Sequence, residues 1–390
     1  MNGQQPDQSP APLPPLTAIP PDIRSLADYE RRADVHFPAE SWRHIQAGAG
    51  PELSRAANRA QFDRLRIVPR MLADMRGATT GLELFGLHHA APILLAPVAY
   101  HRLAHPQGEL ATISAATALD TTMTVSTLSS IPLEDIADAA RAAAAELDRQ
   151  APPLWFQLYF QPDRGHSAEL VRRAEAAGYQ VLVVTVDASI KRSEFALPPG
   201  VEAANLRGMP RLSQHAGVGG GSGILFGTPL LETAPTWDSL TWLRSQTRLP
   251  IVVKGLLSPD DARLARDCGA DGIIVSNHGG RVLDGLALPL EMLPRMVEAV
   301  DDELPLLRDR GVRQRTDIHK ALALGARAAL IGRPQLHALA VAGIAGVAHM
   351  LHILRAELEL AMAHAGCASC SAIDSRFLSD AIAPFRQEAP

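Results

Sequence analysis

Short apolar runs recur along the chain from Pro92 onward, each followed by a stretch whose apolar residues return every three to four positions. The runs are PILLAPVAY from Pro92, TTMTVST from Thr121, PLWFQLYF from Pro153 and QVLVVTVD from Gln180. They continue with PIVVKGLL from Pro250, GIIVSNHG from Gly272, LPLLRDRG from Leu304 and AALIGRP from Ala328. None alternates polar with apolar. A strand covered on both faces has no solvated side, so continuous runs of this kind predict buried, parallel strands. The segments between them, such as AELVRRAEAAGY and PDDARLARDCGA, carry the helical period and meet a Gly near the C-terminal end, where a left-handed cap suits a residue without a β-carbon. Eight such units over about 250 residues predict an α/β fold, a (β/α)8 TIM barrel. A doubly wound open sheet is the rival, but no G-x-G-x-x-G opens a helix after the first strand.

Two features depart from a plain barrel. A helical N-terminal extension over roughly residues 22–70 precedes the first strand, and residues 341–363 form amphipathic helices that close the barrel. A long loop after strand 4, residues 188–235, contains GVGGGSG; so long a connection in a compact domain suggests a lid or binding loop. Residues 1–22, rich in Pro, Gln and Ser, are expected to be a disordered lead-in, 23–375 the folded domain and 376–390 a C-terminal tail.

Composition narrows the partners. Lys and Arg number 37 against 42 Asp and Glu, a net charge of −5, which gives neither nucleic acid nor an anionic membrane anything to bind. No apolar run is expected to reach membrane-spanning length. Cys268, Cys367 and Cys370 are the three cysteines; they are too few for a disulfide framework and fit a cytoplasmic protein. The pair in Cys367-Ala-Ser-Cys370 cannot complete a zinc site, and no metal is expected.

Barrel chemistry sits at the C-terminal ends of the strands, and polar residues stand at the ends of all eight runs. In SNHGGRVLDG, from Ser276, His278 and Arg281 place a proton acceptor and a fixed cation at one strand mouth. That pair suits removal of a hydroxyl proton while a guanidinium grips a carboxylate; a lone structural His is the blander reading. Lys254 ends an otherwise apolar strand and reads either as a cation beside an electron-rich ring or as half of a structural ion pair. Asp187 is placed to pair with His278 and raise its pKa, or else to cap a helix. Asp309-Arg310-Gly311-Val312-Arg313 and Gly332-Arg333-Pro334 follow strands seven and eight, the usual phosphate-binding loops of such barrels.

These strings, with LAPVAYHRLAHPQGE from Leu95, WFQLYFQPDR from Trp155 and KALALGARAALIGRP from Lys320, resemble the FMN-dependent 2-hydroxy-acid dehydrogenases and oxidases over about residues 25–372. The resemblance implies FMN as cofactor and oxidation of an L- or S-2-hydroxy acid to the 2-oxo acid, with hydride passing to flavin N5. Oxygen or another acceptor then takes the electrons, and relatives are commonly homotetramers. It implies His278 as base, Asp187 as its support, Arg281 as carboxylate ligand, and Tyr159 as partner of the substrate or developing alkoxide. Lys254 would sit by the flavin N1–C2 edge, with Pro97, Ala99, Ser126, Gln157, Thr185 and Ser276 around the ring. Asp309 would take the ribityl chain, and Gly311, Arg313, Gly332 and Arg333 the phosphate.

Tyr100 and Leu128 are similar to the hydroxymandelate oxidase branch, where glycolate-specific enzymes carry Trp at the second position. An aromatic, mandelate-like substrate is therefore expected. Three features differ from the family. Arg310 replaces a Gly in the usual Asp-Gly-Gly-Ile-Arg string, where it obstructs FMN or adds a phosphate contact. The segment after Asp187 is shortened and leaves Arg192 as the nearest second carboxylate ligand. His44 stands where the family has a Tyr that helps bind the carboxylate. These differences leave two alternatives open: a flavin barrel acting on a larger or carrier-linked redox substrate, and a non-catalytic homologue serving as a partner subunit.

Overall fold

The computed structural model describes residues 11–189, 195–210 and 226–379. All eight predicted strands form: β1 Ile93–Leu95, β2 Met123–Ser126, β3 Leu154–Leu158, β4 Val181–Thr185, β5 Ile251–Leu256, β6 Gly272–Val275, β7 Leu306–Asp309 and β8 Ala329–Ile331. Each pairs in parallel with the next, and β8 returns to β1 through Ala329 opposite Ile93, so the barrel is closed. The continuous apolar runs now have a cause. Leu94, Trp155, Val183, Val252, Ile274, Leu307 and Leu330 fill the barrel interior, while their neighbours Leu95, Phe156, Leu182, Val253, Ile273 and Leu306 pack outward on the helices. Both faces are dry. A hairpin, Leu82–Leu84 paired with Leu87–His89, plugs the N-terminal end, where Phe85 meets Trp155 edge to face at 5.6 Å.

The N-terminal extension comprises α1 Leu26–Ala33, α2 Ala39–Gln46 and α3 Leu53–Arg64. Its Ser25 side chain caps α1 by accepting from the Asp28 amide at 3.3 Å. The expected boundaries need correction at both ends. Leu13 and Leu16 donate main-chain hydrogen bonds to Val35 and Val341, and Leu16 and Ile19 pack on the core, so order begins well before residue 23. Phe377 is buried and Leu378 bridges to Ile67. In both places an apolar residue finds a hydrophobic seat that composition alone does not reveal.

Membrane length is a further correction. The final helix, Arg333–Ala365, has 33 residues and is long and apolar enough to cross a bilayer, but 72% of its most apolar window is buried against the barrel. It breaks at Ala342 and Gly343, which leave helical geometry. In the loop after β4, GVGGGSG lies outside the described residues.

Candidate active site

Asp187 follows β4 and His278 follows β6, and the two meet above the barrel mouth. His278 Nδ1 lies 2.8 Å from Asp187 Oδ1. Gly255 makes the approach possible: its φ is +113°, and a β-carbon there would stand 2.5 Å from the Asp187 side chain. His278 itself adopts a left-handed φ of 52°, a strained state for a residue with a β-carbon. Its backbone N–H donates to Ser276 Oγ at 3.1 Å. Ser276 in turn donates to Asp309 Oδ2 at 3.1 Å and accepts from Lys254 Nζ at 3.2 Å. Lys254 closes the network with an ion pair to Asp309 at 3.0 Å. The ion pair of one reading is thus formed.

The electrostatics of the pair differ from expectation. Burial drives the His278 imidazole down to about 4, against the pull of Asp187, and Lys254 and Arg310 add to the fall. Burial alone would raise the Asp187 carboxyl, but His278 and Lys254 outweigh it and hold it below its ordinary range. Asp187 therefore does not lift His278 above the ordinary value of an imidazole; desolvation wins. At neutral pH the pair is a carboxylate beside a neutral ring. The Nδ1 hydrogen is directed to Asp187, which leaves the Nε2 lone pair as proton acceptor.

A cavity of about 640 Å³ opens beside this pair. Of the expected substrate-facing residues, His44, Tyr100, Leu128, Tyr159 and Arg281 line it, and so do Pro97, Ala99, Ser126 and Arg333 of the expected cofactor set. Gln157, Thr185, Lys254, Ser276 and Asp309 lie behind the wall, none more than 2% exposed. Gly311 and Arg313 line a second cleft of about 440 Å³ beside it, together with Arg55, Arg59, Arg310 and Arg333. Gly332 lines a third, small pocket with Arg310, Gly311, Arg313 and Arg333. Arg192 lies outside the described residues.

Several side chains hold partners other than those expected. Arg281 donates to the main-chain carbonyls of His44, Ile45 and Ala47 at 2.8–2.9 Å, and Arg333 to those of Ile45 and Ala47 at 3.0 and 3.2 Å. These carbonyls end α2, where no helical donor remains and the dipole attracts cations. Arg313 pairs with Glu30 at 3.2 Å. His44 stacks on Phe195, ring centroids 4.0 Å apart. Burial, reinforced by Asp187, raises the Tyr159 phenol far above its usual value, so it remains a donor.

The reading by motif missed the supporting parts. Gly255 is one, although an isolated Gly inside a strand signals close approach. Asn58 and Asn277 exchange side-chain hydrogen bonds at 2.9 and 3.0 Å and tie α3 to the His278 loop; nothing local pairs residues so far apart in sequence.

The residues present suit FMN. Gln157 Nε2 and Asp309 Oδ1 are buried with no hydrogen-bond partner among the described residues, one donor and one acceptor, as a polar ring and a hydroxylated chain require. The adjoining cleft gathers five arginines against Glu30 and Glu52, a donor set that fits a phosphate dianion.

Comparison with known proteins agrees. The family model of the FMN-dependent dehydrogenases matches residues 33–380. The chain is 48% identical to an L-lactate oxidase of Alicycliphilus denitrificans, over 92% of this chain and 97% of that one. It is 43% identical to the 4-hydroxymandelate oxidase of Amycolatopsis orientalis, over 89% and 96%. A crystal structure of mandelate oxidase with (S)-2-phenylpropionate superposes with a TM-score of 0.79 at 42% identity, covering 92% of this chain and 98% of that one. With its closed barrel, its His–Asp pair and its adjoining arginine cleft, the chain belongs to the FMN-dependent dehydrogenase family.

Proposed function

We propose that the protein is an FMN-dependent oxidase of 2-hydroxy acids that acts on an aromatic, mandelate-like member of that class. The observation that carries this is the neutral His278 held by Asp187 at 2.8 Å on the wall of a cavity whose remaining lining includes Leu103, Leu128, Phe160, Leu197 and Leu206. An apolar wall offers an aryl group burial that a methyl group could use only in small part.

His278 Nε2 takes the hydroxyl proton as the α-carbon C–H bond breaks, and Asp187 stabilises the imidazolium that forms. FMN, when bound, would supply a two-electron acceptor for the hydride equivalent. Tyr159 donates toward the substrate oxygen, and Arg281 supplies the positive field for its carboxylate. Ser126, Gln157, Thr185 and Ser276 would hold the ring, Asp309 the ribityl chain, and Gly311, Arg313, Gly332 and Arg333 the phosphate. The product is the 2-oxo acid, and the hydroxyl proton is left on His278.

A short aliphatic substrate is the second reading, favoured by the 48% identity to a protein described as an L-lactate oxidase. An anaerobic visible spectrum decides between them. Rapid bleaching by 4-hydroxymandelate and slow bleaching by L-lactate is the expected result; the reverse order overturns the aromatic reading. Bleaching by neither would favour a larger or carrier-linked substrate or a non-catalytic homologue. We also propose a cytoplasmic homotetramer, supported by the scarcity of cysteine and the family resemblance. Light scattering checks the assembly, and cell fractionation the compartment.

A further inference from the structure

Arg310 departs from the glycine of the family string, and its surroundings are unusual. Its backbone holds a left-handed φ of 82°, which a β-carbon makes costly. Its side chain lies across a groove walled by two glycines. A β-carbon at Gly279 would stand 3.0 Å from Arg310 Cδ and Nε, and one at Gly332 would stand 2.8 Å from Nη1. Among the described residues, only Arg310 and Arg333 line both the catalytic cavity and the arginine-rich cleft, so these two side chains stand where the cavities adjoin.

Its pairing with Asp309 is shared, although Arg310 is the strongest charge holding that carboxyl down. Arg310 Nε lies 3.1 Å from Asp309 Oδ2, but the same oxygen already takes Lys254 at 3.0 Å and Ser276 at 3.1 Å. Two other arginines crowd it. Beyond the effect of burial, Arg310 is the strongest charge pressing the Arg281 and Arg333 guanidiniums downward. A cation on a strained backbone, bordered by a cleft of four more arginines, is stabilised by an anion placed in that cleft.

We propose that Arg310 is a movable phosphate ligand: it stands across the flavin trough and turns to the arginine-rich cleft when a phosphate occupies it. The ring can then enter only at the cost of moving a cation, and a phosphate on the same molecule offsets that cost. The site consequently selects phosphorylated flavin over the bare ring system. FMN binding belongs to the whole family; Arg310 adds this selection to it.

Titrations of the full-length, flavin-stripped chain with FMN and with riboflavin, followed by flavin fluorescence, test this without turnover. The wild type is expected to prefer FMN by about a hundredfold or more. Arg310→Gly adopts the left-handed backbone freely and clears the trough. It should bind riboflavin about tenfold more tightly and FMN about tenfold more weakly than the wild type. Riboflavin binding that is unchanged or weaker would show that Arg310 does not stand in the way. FMN binding that is unchanged or tighter would show that it is no phosphate ligand. Either result overturns the proposal. Arg310→Gln keeps the stem and the strained backbone, so it guards against a fold effect of glycine. Loss of about tenfold in FMN affinity is expected there, and wild-type affinity overturns the phosphate role. Flavin that binds as described but is bleached by no 2-hydroxy acid would refute the oxidase reading and leave this result standing.

Discussion

A β-carbon built on Gly255 stands 2.5 Å from both Cβ and Cγ of Asp187. The residue after the barrel lysine therefore decides whether the carboxylate can reach His278. With φ at +113°, Gly255 is doubly constrained, by conformation and by space. Gly255→Ala should displace Asp187 and lower kcat by about a hundredfold, as misplacement by roughly an ångström does. It should also destabilise the fold by about 1–3 kcal/mol. Steady-state turnover and a thermal melt check both; wild-type turnover in the variant would contradict the geometric role.

His278 acts as base only when neutral. Because burial lowers it to about 4, the acid limb of kcat/KM should fall near pH 4, well below the ordinary imidazole value. Asp187→Asn removes the upward pull, so the limb should move lower still while kcat drops. His278→Ala should abolish turnover and leave bound flavin in place. A limb near pH 6.5 would mean that another group, or a much less buried His278, carries the proton.

Four histidines that the fold desolvates make it acid-sensitive. Burial lowers His89, His278 and His319 to about 4 and His337 to about 3. Each binds fewer protons folded than unfolded in the window between its folded value and 6.5. Their contribution is therefore intact above pH 6.5 and is lost as pH falls toward 4. Each group can remove up to about 1.4 kcal/mol per pH unit across that window. Urea unfolding at pH 7.5, 6.0 and 5.0 should show declining stability; a flat series would argue that these rings are hydrated.

The ion pair between Lys254 and Asp309 is buried on both sides, at 2% and 0% side-chain exposure. Lys254→Met strands the carboxylate with less compensation and should cost about 3–5 kcal/mol. Adding Asp309→Leu should restore part of that loss. A double variant less stable than the single one would show that Asp309 is supported chiefly by Ser276 and Arg310.

Leu128 lines the catalytic cavity, and a larger ring there removes room from the apolar wall. Leu128→Trp should lower kcat/KM for 4-hydroxymandelate at least about tenfold and alter that for L-lactate far less. Equal losses for the two substrates would mean that Leu128 does not set the substrate size.

Much of the site was legible in the chain because the chemistry of such barrels collects at strand ends. Once the eight apolar runs were found, His278, Asp187, Lys254 and Asp309 followed as the polar residues that close them. Roles that depend on a partner from another element were not legible. Arg281 and Arg333 both bind the carbonyl end of α2, an encounter that no local pattern announces. The net direction of the His278 shift was not legible for the same reason. Asp187 is visible in the motif, but the depth of burial that outweighs it is set by the whole fold.

The periodic part of the protein follows from the chain alone: the strand count, the parallel sheet, the closed barrel and the face that carries the chemistry. These depend on side-chain pattern, which local geometry converts directly into buried and exposed faces. Only the tertiary structure decided what depends on distances across the chain. It made Gly255 the condition for the His–Asp pair, drew Lys254 into an ion pair with Asp309, and laid Arg310 where the two cavities adjoin. Burial and charge acquire their magnitudes only when separate elements close around a group.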